Sequence, residues 1–184
     1  MAAEATSITP GPDQLAALIR QTAIGHPDGI EGLYRLYAER LFRLAARLTG
    51  SVQDGEDVVQ DVFVGLPEAV RSFQGRGSFD GWLKRVTARV ALMRLRSNRR
   101  RREESIDERS AFTSQPSEDR GERDDIQKLI AKLPDTLRIV LVLRQIEGYS
   151  HEEIGALLGI SGGASRVRFS RAVDLLRRRL KEIP

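Results

Sequence analysis

The hydrophobic positions of this chain recur at helical spacing almost throughout, and no stretch alternates as a half-buried strand does. Leu15, Leu18 and Ile19 predict a short helix from an Asp13 cap to Ile24. His26-Pro27-Asp28-Gly29 is turn chemistry, with His26 read as a turn residue only. A broad stripe of Leu33, Tyr34, Tyr37, Leu41, Phe42, Leu44, Ala45 and Leu48 predicts a helix over 30–49, closed by Gly50-Ser51. Val58, Val59, Val62, Phe63, Leu66 and Val70 predict another over 53–72, with a kink or early end at Pro67. Trp82, Leu83, Val86, Val90 and Leu95 predict a further one-sided helix.

The pattern then breaks. Residues 103–123 are rich in Glu, Ser, Asp and Arg, hold Pro116 and show little apolar periodicity, so they read as a flexible linker. Past it, 124–132 and 135–146 predict two helices parted by Leu133-Pro134, with Asp135 as cap and Leu137, Val140, Leu141 and Leu143 buried. The expected architecture is all-α: a flexible arm over 1–12, a helical domain over 13–102, the linker, and a second small helical domain over 124–184.

Composition sharpens this picture. The chain has 184 residues, 40% apolar and 30% charged, with a net charge of only +4, so its basicity is local. No Cys is present, which excludes disulfides and thiolate metal sites and fits a reducing cytoplasm. His26 and His151 are the only histidines, so imidazole chemistry is scarce. No apolar run approaches the ~20 residues of a membrane span, and the N-terminal stretch lacks the pattern of a signal peptide.

The densest basic feature follows Gly75-Arg76-Gly77-Ser78-Phe79-Asp80-Gly81-Trp82. A glycine-rich loop carrying an aromatic expected to be exposed feeds a helix that ends in Arg94, Arg96, Arg99, Arg100, Arg101 and Arg102. Aromatics stack bases and arginines hold phosphates, so this element reads as a nucleic-acid contact with Lys84, Arg85 and Arg89 on its outer surface. A solvated helix end needs fewer cations to match its dipole. Near the C-terminus, Ser150-His151-Glu152-Glu153 is a capping box. Gly155, Gly159 and Ile160 then supply a small residue, a left-handed turn and an apolar plug, and Ser161 can cap the next helix. That order is a helix-turn-helix. Its second helix, from about Gly162, carries Arg166, Arg168 and Arg171 outward where a recognition helix meets the major groove, with Val167, Ala172, Leu175, Leu176 and Leu180 expected inward.

With these motifs in place, the chain resembles the extracytoplasmic-function group of bacterial RNA polymerase sigma factors, from about Leu15 to Leu180. Asp54-Gly-Glu56-Asp57-Val58-Val59-Gln60-Asp61-Val62-Phe63 is similar to the family's core-polymerase-binding helix. Phe79 to Val86, running into the arginines, is similar to its −10 promoter element reader, and Leu133-Pro134-Asp135 through Leu180 to its −35 domain. The resemblance implies that Asp54, Glu56, Asp57, Gln60 and Asp61 bind the coiled coil of the polymerase largest subunit. It implies −10 contacts from Arg76, Ser78, Phe79, Trp82, Lys84, Arg85, Arg89, Arg96, Arg99 and Arg100, and −35 contacts from Ser150, Ser161, Ser165, Arg166, Arg168 and Arg171. In that reading Phe79 stacks an extruded base, and melting needs no nucleotide hydrolysis.

The implied partners are core RNA polymerase, promoter DNA and an anti-sigma factor, in the cytoplasm and on the nucleoid when polymerase-bound. No cofactor, metal or enzymatic activity is expected. The acidic Asp54–Asp61 face argues against a stand-alone helix-turn-helix regulator, and Asp57 and Asp61 lack a third ligand for a metal-dependent nuclease. The chain departs from the family pattern at Arg89 (commonly Asn), Met93 (commonly Asp), Ala164-Ser165 (commonly Thr-Val) and the flexible Gly162-Gly163. These departures leave its promoter sequence and its strength of melting open.

Overall fold

The computed structural model describes residues 11–104 and 122–181, of which the described residues are helical with no strand. Residues 1–10 of the arm expected over 1–12 and residues 105–121 of the linker expected over 103–123 lie outside the described residues, and α1 begins at Pro12. Among the described residues, helices follow in the order α1 (Pro12–Ala23), α2 (Pro27–Thr49), α3 (Val52–Ala69), α4 (Phe79–Glu104), α5 (Glu122–Ala131), α6 (Asp135–Leu141), α7 (His151–Leu158) and α8 (Gly162–Lys181), of which α2, α3, α4 and α8 are long and the other four short.

Helix α2 is the spine of the N-terminal half. Leu33, Leu41, Leu44, Ala45 and Leu48 are all buried, against Val58, Val62 and Leu66 of α3 and Leu83, Ala88 and Ala91 of α4. At full burial each such aliphatic side chain contributes about 1.5–3 kcal/mol. The α2–α3 approach is close because α3 carries Gly55 there: a Cβ would stand 2.9 Å from the Ala46 backbone. Gly50 ends α2 at φ 75°, and the Ser51 hydroxyl accepts from Asp54 N–H at 3.2 Å to start α3.

Several local expectations change. Asp13 lies in the first turn of α1 behind a Gly11 cap, and Asp135 lies in the first turn of α6 behind Pro134. His26 is more than a turn residue: its Nδ1 accepts from Asp28 N–H at 3.3 Å and caps α2. Helix α3 passes through Pro67 and ends at Ala69, where a 3-10 turn over Val70–Ser72 takes over. Helix α4 runs to Glu104, into the expected linker. The 135–146 helix is α6 followed by a π-turn over Val142–Ile146.

The C-terminal half packs α6, α7 and α8 around Val140, Val142, Leu143, Ile154 and Ala172. The expected helix-turn-helix is present in detail. Ser150 and Glu153 form both halves of the capping box. Gly159 adopts φ 70°, and a Cβ on Gly155 would meet the Ile160 carbonyl oxygen at 2.6 Å. Only a glycine allows the turn that close.

Candidate polymerase and nucleic-acid interfaces

Asp54, Asp57 and Asp61 share one side of α3, and Glu56 lies on another. Asp54, Asp57 and Asp61 turn toward α4 and converge on Arg94: Nε lies 3.0 Å from Asp54, Nη1 lies 3.6 Å from Asp61, and Nη2 bonds Asp57. Asn98 adds a second donor to Asp54 at 3.3 Å. The Asp54 hydrogen bond, followed by the charges of Asp57, Asp54 and Asp61, raises the Arg94 pKa further against partial burial. This guanidinium takes the place a metal ion would need between the carboxylates, and no metal-type cluster occurs among the described residues. Asp61 still presents 58% of its side chain to solvent.

Glu56 and Gln60 face the other way, onto a groove between α2 and α3 of about 680 Å³. Its apolar lining includes Tyr34, Phe42, Val59, Phe63 and Val64, and Glu39 joins Glu56 and Gln60 among its polar residues. Tyr34 is 50% exposed and Val64 76% exposed, although the sequence stripe placed Tyr34 in the core. Tyr34 instead packs edge-on to Phe63 with centroids 4.9 Å apart. A greasy groove with acids at its side fits a basic amphipathic helix.

The loop before α4 bends through Gly75 and Gly77 at φ 69° and 81°, leaving Arg76 and Ser78 exposed. The Ser78 hydroxyl accepts from Gly81 N–H at 3.1 Å, capping α4. Phe79 is not an exposed stacking surface. It is 4% exposed and sits in an aromatic cluster with Tyr37 and Phe73 edge-on and Trp82 stacked. Burying an aromatic ring of this size dominates any local preference for the surface. Trp82 is half-buried in the same cluster. Arg85, Arg89, Arg96, Arg99, Arg100 and Arg101 are exposed along α4, whereas Lys84 is ion-paired to Asp80 at 3.5 Å and Glu147 at 3.4 Å.

In the helix-turn-helix, Arg166 and Arg171 are exposed and Arg168 is half-buried. Arg166 is steadied by Glu152 at 2.6 Å. Ser165 is no DNA contact: it is fully buried and its Oγ lies 2.9 Å from His151 Nδ1, between α7 and α8. Ser150 and Ser161 are occupied as caps, accepting from Glu153 and Ala164 N–H at 3.1 and 3.0 Å. Val167 and Leu180, expected inward, are 51% and 45% exposed. Val167 stands one turn after the exposed Gly163 and one turn before Arg171, on the outer face of α8.

Residues 33–101 match the sigma-70 region 2 family and residues 123–176 the sigma-70 region 4 family. RNA polymerase sigma factor CarQ of Myxococcus xanthus is 34% identical over 86% of this chain and 93% of its own length. The chain belongs to the sigma-70 family. Two further relatives carry the name of the extracytoplasmic-function (ECF) group within that family. ECF sigma factor SigW of Bacillus subtilis is 29% identical over 90% of this chain and 96% of its length. SigE of Mycolicibacterium smegmatis is 37% identical over 79% of this chain, which spans 59% of that relative. Solved structures agree on the fold. CnrH in complex with the cytosolic domain of CnrY aligns with TM-score 0.57 at 28% identity, over 91% of this chain and 97% of that one. The sigma factor RpoE of Bartonella quintana, in complex with the anti-sigma factor NepR, aligns with TM-score 0.66 at 22% identity, over 84% of this chain and 98% of that one. This sigma factor is a transcription initiation factor that acts with core RNA polymerase at promoters. No helix among its described residues is long and apolar enough to cross a membrane.

Proposed function

We propose that this sigma factor docks on core polymerase through the α2–α3 groove, reads and opens the −10 element with the exposed side of α4 and its leading loop, and reads the −35 element with α8. The observation that carries the reading is the division of labour around α3. Its Glu56–Gln60–Val64 side offers an acid-flanked apolar groove suited to a basic protein helix, while its Asp54–Asp57 side is tied to the basic helix that meets DNA. A regulator binding duplex DNA by itself has no use for the groove.

On polymerase, Tyr34, Phe42 and Val64 supply apolar contact, and Glu39, Glu56, Gln60 and the exposed edge of Asp61 supply polar and ionic contact to the largest-subunit coiled coil. On DNA, Arg76, Arg85, Arg89, Arg96, Arg99 and Arg100 hold phosphate, with strand opening driven by capture of bases at the Gly75–Ser78 loop. Phe79 and Trp82 support that loop from beneath. Arg166, Arg168, Arg171 and Val167 read the −35 element. The factor works in the cytoplasm, joins the nucleoid when polymerase-bound, and is held off polymerase by an anti-sigma protein that covers the same groove.

The test is co-purification with core polymerase of the Val64→Asp and Asp61→Lys variants, both exposed positions. We expect unchanged helicity and core affinity lowered about tenfold for Val64→Asp, the loss of one buried valine, worth roughly 1.5 kcal/mol. Wild-type core affinity in both variants would overturn the docking assignment.

A further inference from the structure

The first turn of α7 holds the opening of α8 at two adjacent points. His151 Nδ1 lies 2.9 Å from Oγ of the buried Ser165, and the next residue, Glu152, accepts from Arg166 Nη2 at 2.6 Å. Both anchors stand on a turn that is itself fixed, because Ser150 and Glu153 complete the capping box on either side of them. Consecutive residues of one helix thus meet consecutive residues of the next. The inner contact seats α8, and the outer one sets the direction of an arginine.

Gly162 leaves room for the outer contact. Glu152 leans across the start of α8, where a Cβ on Gly162 would stand 2.9 Å from its Oε1. The side chains of Glu152 and Arg166 remain 66% and 60% exposed. A pair so open to water adds little to stability, so its effect falls on where Arg166 points. Of the three arginines expected at the −35 element, Arg166, Arg168 and Arg171, Arg166 alone has a carboxylate partner among the described residues. Reading guanine takes two N–H donors held in one plane against O6 and N7. A guanidinium carries five N–H groups, so the carboxylate can occupy one edge and leave another for a base. A free arginine gives up its rotamer freedom on binding, and one already held gives up less. The same carboxylate acts oppositely on phosphate, which it repels over the ~8 Å that charges reach at physiological salt.

We propose that Glu152 is a positioning residue for −35 recognition: it aims Arg166 at a guanine edge and, through its charge, weakens binding to sequences that lack that guanine. The inference rests on the reading of α8 as the −35 helix. It assigns one side chain two effects of opposite sign, tighter discrimination and looser general binding. A solvated surface acid would have at most the second.

Holoenzyme carrying the parent chain is selected on promoter duplexes randomised over both elements. Each −35 guanine of the winning sequence is then replaced in turn by 7-deazaguanine, which lacks the N7 acceptor. The parent should lose about two- to tenfold in affinity at one guanine, roughly half of one bidentate arginine contact. Glu152→Ala should shrink that penalty below about twofold. It should also bind a promoter with a scrambled −35 element about two- to threefold more tightly than the parent, the scale of one exposed charge interaction. Glu152→Gln keeps an acceptor for Arg166 and loses the charge, so it should retain the guanine penalty and share the gain on the scrambled element. A guanine penalty in Glu152→Ala equal to the parent's would overturn the aiming of Arg166. Parental affinity of both variants for the scrambled element would overturn the charge effect. Failure of the underlying −35 reading looks different, and removes the positioning role with it: no −35 guanine matters to the parent, and Arg166→Ala matches it on every template.

Discussion

Phe79 stacks on Trp82 with ring centroids 5.4 Å apart and ring planes 27° from parallel, and it is the first residue of α4. The ring that the sequence offers to DNA is therefore the ring that seats α4 on Tyr37 and Phe73. Phe79→Ala should cost about 3–5 kcal/mol of stability in the N-terminal module, seen as an earlier urea midpoint with an unchanged slope. Strand opening, followed by 2-aminopurine fluorescence at each −10 position, should fall in proportion to the folded fraction. A fully stable variant with impaired opening would restore the base-stacking role.

Arg94 holds three aspartates of α3 at once, so its removal leaves like charges facing one another. Arg94→Ala should destabilise the module by roughly 1–2 kcal/mol, the range for partly exposed hydrogen bonds to charged groups. High salt should restore part of that loss by screening the exposed carboxylates. Adding Asp57→Asn should rescue some stability, and a double-mutant cycle with urea unfolding at low and high salt measures the coupling. Additive effects at both salts would show that the contact carries no energy.

His151 gives the C-terminal module a pH dependence. Desolvation first, then the positive charges of Arg144 and Arg166, holds its imidazole below the ordinary 6.5, against the opposing charge of Glu152. The folded state thus favours the neutral ring. Its contribution is complete above about pH 6.5 and is lost as pH falls through the depressed folded value, because the unfolded chain binds the proton more readily. Glu153 is held below its ordinary 4.5 by the Ser150 backbone N–H, so its loss falls in a separate, more acidic window. An NMR titration should place the His151 midpoint below that of an unfolded peptide, and His151→Gln should remove the higher step from the stability profile.

Val167 lies outward between two arginines, and the fold gains little by it: valine is a modest helix former and here buries only half its surface. Its methyl groups suit the thymine C5-methyl in the major groove. Replacing thymine by uracil at one −35 position should weaken holoenzyme binding about two- to fourfold, the worth of one buried methyl group at ~0.8 kcal/mol or less. Val167→Ala should bind both templates equally. Uniform indifference of the parent to uracil across the element removes Val167 from the reader.

What the sequence made legible was local. Gly155, Gly159 and Ile160 announce a helix-turn-helix because a turn's demands fall within six residues of chain, and the α2 and α3 stripes declare their inner faces by period. The errors share a different cause. Phe79 looked exposed because Tyr37 lies 42 positions upstream, and nothing in the local pattern reports that approach. Ser165 and Val167 exchanged places, one expected outward and one inward, since a helix packed on one side by short partners buries a narrower arc than its apolar content implies. Arg94 read as a surface cation because its partners belong to another helix.

Leu95 is the last apolar side chain of α4, and the helix continues nine residues further, to Glu104. The arginines in this stretch therefore take their azimuth from the winding of the backbone behind them. Orientation is stored as phase. One residue inserted between Leu95 and Arg96 would turn the whole cationic end by about 100° and advance it by about 1.5 Å, leaving charge, composition and core untouched while sending every guanidinium to a different azimuth. Under the proposed −10 role of α4, the register of a helix, as much as the identity of its side chains, becomes an address on DNA.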